Sequence, residues 1–419
     1  MDSSFSKYQD FRNDREKRDS VACGAAAGVA AAFGAPIGGV LFSLEEGSSF
    51  WSTKLTWRCF FCAMTTVFFS YIFSSAGSLF GHSDTSAMFS FGEFFSLHGD
   101  QTNYSVWELS LFLLVGALGG LIGSCFNYSA ERLFRWRREN ITLTESKFYE
   151  ILCVVLIMSL ISLCLPLLWN KCTLLPVDTD GWSEQEKVLV DELVPLYCNK
   201  ETEYNELASL YLTDSDTAIR QLFHFREAEN HYFTTFSSGA LFLFLIPYVT
   251  MACITYGLSV PAGMFVPSLL SGAAFGRLIG HLLHKLDSKR GIFADSGTYA
   301  LMGAAGLTSG ITRMTISLTV MVLEATGDMQ YVLPLMLTVM SARFIGNIFT
   351  DGIYDSHINS RRLNFLDEDE SISKLMELHD LTVNEIMTAD PCTLRGVMRT
   401  GDCYDLLRRN LHHCYPVGK

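Results

Sequence analysis

Two adjacent carboxylates, Glu45 and Glu46, close a stretch from Gly24 to Glu46 that is otherwise small and apolar. An ionisable side chain at the end of a membrane-embedded segment is costly unless it meets water, a partner or a proton. The pair is therefore either an interfacial anchor or a place where protons are handled. A second candidate is Gly263-Met264-Phe265-Val266-Pro267. Gly lets backbone approach closely, and Pro suits an early helical turn without needing an N–H. A helix that starts there aims free amides and the positive end of its dipole at one spot, which suits an anion. The same five residues also fit a kink between two spans. Tyr354 is a third candidate, because a phenol donates to an anion while staying neutral. Without its neighbours it reads as an aromatic at the membrane boundary.

The elements that must position these residues are apolar and interrupted. Gly24–Phe33 is rich in Gly and Ala, which lets helix backbones pack closely inside a bilayer. Gly34-Ala35-Pro36 breaks that helix, and a second apolar segment runs on to the two acids. A shift of 279 residues lays Gly24-Ala25-Ala26 on Gly303-Ala304-Ala305, Ile37 on Ile316, Leu41 on Val320, Leu44 on Leu323 and Glu45 on Glu324. A Gly/Ala helix, a break and an apolar segment ending in Leu-Glu thus occur twice in one register. Paired repeats of broken helices are the pattern of secondary transporters.

Composition bounds the class. Hydrophobic residues make up 49% and charged ones 18%. Ser20–Leu44, Cys59–Leu79, Leu109–Ala130 and Ile151–Asn170 contain no Asp, Glu, Lys or Arg. Each reaches or exceeds the roughly twenty residues that span a bilayer core. Tyr232–Gly276 is uncharged for long enough to pass twice. The expected fold class is all-α, multi-pass and membrane-embedded. The net charge of −13 comes largely from a loop between Pro176 and Glu229, with thirteen acids against four bases. That loop reads as a solvated face, and nucleic acid is not an expected partner. Most cysteines lie in apolar runs, where a thiol acts as a small hydrophobe. Cys172 and Cys198 flank the acidic loop and could pair in an oxidising compartment, which the sequence leaves open. No nucleophile–base set, metal-ligand cluster or phosphate loop supports an enzyme.

Residues 1–19 form a charged leader without the apolar core of a signal peptide. The segment Glu131–Lys147, with Arg132, Arg135, Arg137 and Arg138, is also basic. Positive charge places both on the cytosolic side and leaves 80–105 and 171–230 on the other. Asn103 then begins a usable glycosylation sequon, Asn140 lies beside the basic cluster, and Asn127 is inaccessible within a span. Short helices are expected near Tyr204–Leu212 and Thr217–Phe225, where apolar residues recur three or four apart. A Gly/Ala helix is expected at 298–310, followed by apolar segments to Glu324 and over Tyr331–Phe349.

GAPIGGVLFSLEEGSSFW, GMFVP, RMTISLTVMVLEAT and DGIYDSHI occur in the order found in the CLC chloride channels and chloride/proton antiporters. From about Arg12 to the C-terminus the chain resembles that family, most of all its late endosomal and lysosomal antiporter branch. The resemblance implies an inverted-repeat CLC fold over 20–358 and a homodimer in a late endosome or lysosome membrane. Chloride would be bound at Gly263, Met264, Phe265 and Pro267, chiefly by the amides of Met264 and Phe265, with the hydroxyl of Tyr354. Glu46 would be the internal proton acceptor, with Glu45 beside it as helper or structural residue. No cofactor is required. The tail over 365–419, with EIMT and HHCYPV, resembles the start of a cytosolic α/β CBS domain, where His413 and Cys414 would contact ATP if the module were complete. Two further family motifs, one with a chloride-coordinating serine and one with the gating glutamate, do not occur in residues 1–20. The chain is therefore expected to begin within the first repeat and end within the first CBS domain. The expected activity of the parent is chloride/proton exchange. The alternatives are a passive chloride channel, or a non-transporting subunit that dimerises with intact ones.

Overall fold

The computed structural model describes residues 14–48, 50–78, 104–141, 143–169, 171–175, 189–199, 202–224, 235–286, 293–361, 382, 387, 391–409 and 415–418. The chain divides into two units, Met1–Asn364 and Phe365–Lys419.

The first unit is helical. It begins with α1 (Asp14–Phe33), α2 (Pro36–Glu45) and α3 (Thr53–Ser78). The break at Gly34-Ala35-Pro36 falls between α1 and α2, with Pro36 in the first turn of α2 as its missing N–H favours. The first helix includes the charged residues 14–19 as well as the apolar stretch. Long polar side chains are good helix formers and carry the backbone pattern beyond the apolar stretch.

Then follow α4 (Glu108–Asn140) and α5 (Thr144–Leu168). α4 continues through the basic cluster, and Arg137 is held by the carbonyls of Ile254 and Tyr256 and by Glu150. Asn127, in the middle of α4, is 1% exposed and donates to the carbonyls of Ile311 and Asp351. Asn103, which starts the first sequon, lies outside the described residues.

The segment after α5 forms a small packed body. β1 (Cys172–Leu174) pairs antiparallel with β2 (Glu203–Asn205), and a disulfide joins Cys172 to Cys198. Next come α6 (Glu206–Tyr211) and α7 (Ser215–His224), close to the two helices expected there. Asp191, Glu192 and Asp214 are exposed there, as the charge of the segment suggests, but one acid is not. Glu206 is fully buried and accepts from Thr173 Oγ1 at 2.6 Å and from the Ser237 amide at 2.9 Å. A buried carboxylate persists only where donors replace its water. Asn205 caps α6 by accepting from the Ala208 amide.

The remaining helices are α8 (Ser238–Thr255), α9 (Phe265–Leu286), α10 (Ser296–Thr312), α11 (Ile316–Thr326), α12 (Val332–Phe349) and α13 (Ile353–Arg361). α10 is the hub: every residue in it is buried, and it packs on α4, α9 and α12. It sits that deep because glycine lines the contact. A Cβ at Gly303 would lie 2.4 Å from Gly276 Cα and 2.5 Å from the Gly272 carbonyl oxygen. Van der Waals packing of such close backbones is what associates helices where the surroundings are as apolar as the side chains.

Among the described residues six helices are long and apolar enough to cross a membrane: Thr53–Phe73, α4, α5, α8, α9 and the stretch Met329–Arg361. α2 and α11 are apolar but too short to span. In the second unit β3 (Leu394–Arg395) pairs in parallel with β4 (Val417–Gly418), with α14 (Thr400–Arg409) between them in sequence.

Candidate functional site

The two short helices form a reciprocal pair. Both oxygens of Glu45, the last residue of α2, are engaged by the start of α11. Thr315 donates its amide at 2.8 Å and its hydroxyl at 2.6 Å to Oε1, while Ser317 donates its amide at 3.0 Å and its hydroxyl at 2.5 Å to Oε2. In return Glu324, near the end of α11, accepts from the start of α2. The Ile37 amide lies 3.2 Å from Oε1 and the Gly38 amide 2.8 Å from Oε2. Each acid at one helix end reaches the other helix's beginning, so α2 and α11 run antiparallel. The register of the repeat, Glu45 onto Glu324, is thus a contact between the two copies.

Close approach makes the pair possible. A Cβ on Gly38 would sit 2.4 Å from Met321 Cγ, and one on Gly39 would sit 2.5 Å from the Ala26 carbonyl oxygen. Ser43 then ties α2 to α1 by donating to the Ala22 carbonyl at 2.9 Å.

Glu46 differs from both. It is the C-cap residue of α2, with its amide donating to the Phe42 carbonyl. Among the described residues nothing donates to its carboxylate, while Glu45, Asp355 and Arg343 lie within electrostatic reach. Glu46 is half-buried, as is Tyr354 on α13, and the two are within electrostatic reach of each other.

The loop before α9 holds Gly263 and Met264, and Phe265 is the first helical residue. This places the amides of the motif at a helix start, as its composition predicts. Met264 is buried in a cluster with Leu307, Ile311 and Ile353, against which Tyr354 packs. Phe265 meets Phe33, at the end of α1, edge-on with ring centroids 4.7 Å apart. The end of α1, the start of α9 and Tyr354 therefore share one core cluster. Beside the motif lies a cavity of about 90 Å³ lined by Gly263, Met264, Pro267, Tyr248, Tyr256 and Thr255. It has room for a few waters. His413 and Cys414 lie outside the described residues.

Sequence reasoning missed two anchors. Glu108 is fully buried and accepts from the amides of Ser105 and Ala294, both at 2.6 Å, and from the Tyr299 hydroxyl at 3.1 Å. The spacing Ser105-x-x-Glu108 at a helix start was its available signal. Arg313 is buried with a left-handed backbone, and its guanidinium donates to the carbonyls of Gly310, Gly346 and Thr350. No local pattern announces it. Among the described residues one group has metal-ligand spacing, Cys172, Cys198 and Glu203, but its two sulfurs are spent in the disulfide.

The fold and the sequence have relatives. The chain superposes on a crystal structure of a eukaryotic CLC transporter with TM-score 0.60 at 22% identity, over 100% of this chain and 60% of that one. It also superposes on a slow cyanobacterial Cl−/H+ antiporter with TM-score 0.54 at 19% identity, over 85% of this chain and 69% of that one. These two show the shared fold. By sequence it is 37% identical over 416 residues to the H(+)/Cl(-) exchange transporter 7 of Mus musculus, and equally so to that of Homo sapiens. It is 34% identical to the chloride channel protein CLC-d of Arabidopsis thaliana over 97% of its length. The chain spans about half the length of these curated relatives, 49% of the mouse and human proteins and 50% of the plant one. The Voltage gated chloride channel family matches residues 3–347, and the chain belongs to that family.

Proposed function

We propose that the parent protein exchanges chloride for protons across the membrane of a late endosome or lysosome. One observation carries the reading. Three carboxylates stand at the ends of the two half-helices, and two of them, Glu45 and Glu324, accept hydrogen bonds at both oxygens. Glu46 takes no donor among the described residues and remains available to accept and release a proton. The amides of Met264 and Phe265 at the start of α9, with the Tyr354 hydroxyl, would hold the anion between repeats. A homodimer is part of the same proposal, on the ground of family membership. The strand–helix–strand order of β3, α14 and β4 supports a nucleotide-responsive CBS start in the tail.

The test is flux in reconstituted liposomes. Glu46→Ala abolishes proton movement coupled to a chloride gradient while chloride flux persists. Chloride current in the unmutated protein without any proton movement would favour a passive channel instead.

A further inference from the structure

We propose that Glu45 and Glu324 are a matched pair of locks between the two repeats, and that Glu45 is in addition the positioning residue for Glu46. The second part rests on the exchange reading above.

Each acid sits at the wrong end of its own helix. A carboxylate at a C-terminus opposes the local dipole, at a cost of about 0.3–1 kcal/mol. At the other helix's N-terminus the same charge is favourable and satisfies amides that have no partner within the helix. Neither α2 nor α11 has a side-chain cap of its own: Ala35 and Thr315 make no capping bond to the helices they precede. Both caps are supplied across the repeat interface. The two helices have 10 and 11 residues, too few to be stable alone. Their ends are thus fixed by each other.

The locks are alike but their neighbours are not. Ala325 follows Glu324, whereas Glu46 follows Glu45. Glu45 is held by four donors from Thr315 and Ser317, and Arg343 Nη1 lies 3.9 Å from its Oε1. On the other side Ser43 fixes the same turn to α1. The last turn of α2 is pinned between two elements, and Glu46 projects from that pinned turn without a donor of its own. Glu45 therefore sets where the carboxyl of Glu46 stands, and it is spent as a hydrogen-bond acceptor. Glu324 makes the corresponding lock through two backbone amides, beside no ionisable group among the described residues, so it is a control built into the same molecule.

The experiment compares Glu45→Gln, the double variant Thr315→Val with Ser317→Ala, their combination, and Glu324→Gln, in purified and reconstituted protein. Thermal unfolding reads the locks, and the ratio of proton to chloride flux reads the positioning. Each variant is expected to lower Tm by at least about 2–4 °C. Glu45→Gln and the Thr315/Ser317 variant should be non-additive in combination, since they remove one interaction. Both should lower the flux ratio by about twofold or more, as displaced reacting groups do. Glu324→Gln should lower Tm with the ratio unchanged. Unaltered Tm in all variants would overturn the locks. An equal fall in ratio for Glu324→Gln would reduce the effect to general loosening and overturn the positioning role. So would loss of all proton flux in Glu45→Gln with a normal ratio in Thr315→Val/Ser317→Ala, because Glu45 would then carry the proton itself. If the unmutated protein moves no protons, the exchange reading and the positioning role both fail, while the Tm comparison still decides the locks.

Discussion

The two copies of the broken-helix unit, α1–α2 and α10–α11, share a register but not a setting. Both long helices end in a left-handed residue at equivalent positions, Gly34 with φ 63° and Arg313 with φ 69°. α10 is buried at every position, whereas α1 exposes Val21 and other residues. Gly24 and Gly303 are equivalent in sequence, yet a Cβ at Gly24 would meet nothing within 4 Å and one at Gly303 would collide with α9. One backbone design thus serves at the periphery and at the hub. The shared features are those the break itself needs. The divergent ones answer to what surrounds each copy.

The glycines offer the sharpest way to break this comparison. Gly303→Ala forces α10 away from α9 and should cost about 3 kcal/mol or more, because the obstacle is backbone. Gly24→Ala should be neutral or stabilise by up to about 1 kcal/mol through helix propensity. Thermal unfolding of both variants in one detergent checks it, and equal effects would mean that α10 is no more tightly held than α1.

Next come the left-handed residues. A non-glycine residue there costs about 1–2 kcal/mol of backbone energy. Arg313 tolerates it because its guanidinium also bonds Ser124 Oγ and Thr350 Oγ1, besides carbonyls at the ends of α10 and α12. A cation at two helix C-termini is favourably placed. Arg313→Gly relieves the backbone but should still lower stability by about 2 kcal/mol, since several charge-assisted bonds are lost. Gly34→Ala should cost about 1–2 kcal/mol through backbone strain. A neutral Arg313→Gly, measured by denaturant or thermal unfolding, would show that glycine suffices in both repeats.

The smallest effect comes from the packed segment between the repeats. Asp216 pairs with Arg220 at 2.6 Å, yet its other oxygen is buried without a hydrogen bond among the described residues. Burial pushes its carboxyl up to about 6 against the opposing pull of Arg220, and Glu192 and Asp214 add to the rise. The folded state therefore binds this proton more tightly than the unfolded chain. The resulting stability is full below the ordinary value of 3.8 and is lost as pH rises through about 6. Between pH 7 and pH 5 the unmutated protein should gain Tm relative to Asp216→Asn. An unchanged difference across that range would remove Asp216 as the source and return any pH response to the repeats.

Much of this architecture was legible in the residues. Uncharged runs marked the spans, Gly34-Ala35-Pro36 marked the break, and the Gly263–Pro267 composition marked the start of α9. Those signals are local: a Pro ring, a missing Cβ or a run of apolar side chains acts within a few residues of itself. Within the acidic segment, charge alone did not show which acid would be buried. Glu206 is buried only because Thr173 and Ser237, distant in sequence, donate to it. Arg313 was silent for the same reason, whereas Glu108 had a local signal in Ser105-x-x-Glu108.

By itself, then, the sequence determined that apolar helices recur in two registered copies, where each must break, and which acids end them. Only the tertiary structure decided which acid is spent. Glu45 and Glu46 are neighbours of one chemical type, and nothing local separates them. The difference arises because the four donors of Thr315 and Ser317 converge on one carboxylate and leave the next with none. Hydrogen bonds between helices that are hundreds of residues apart exist only once the fold has brought them together.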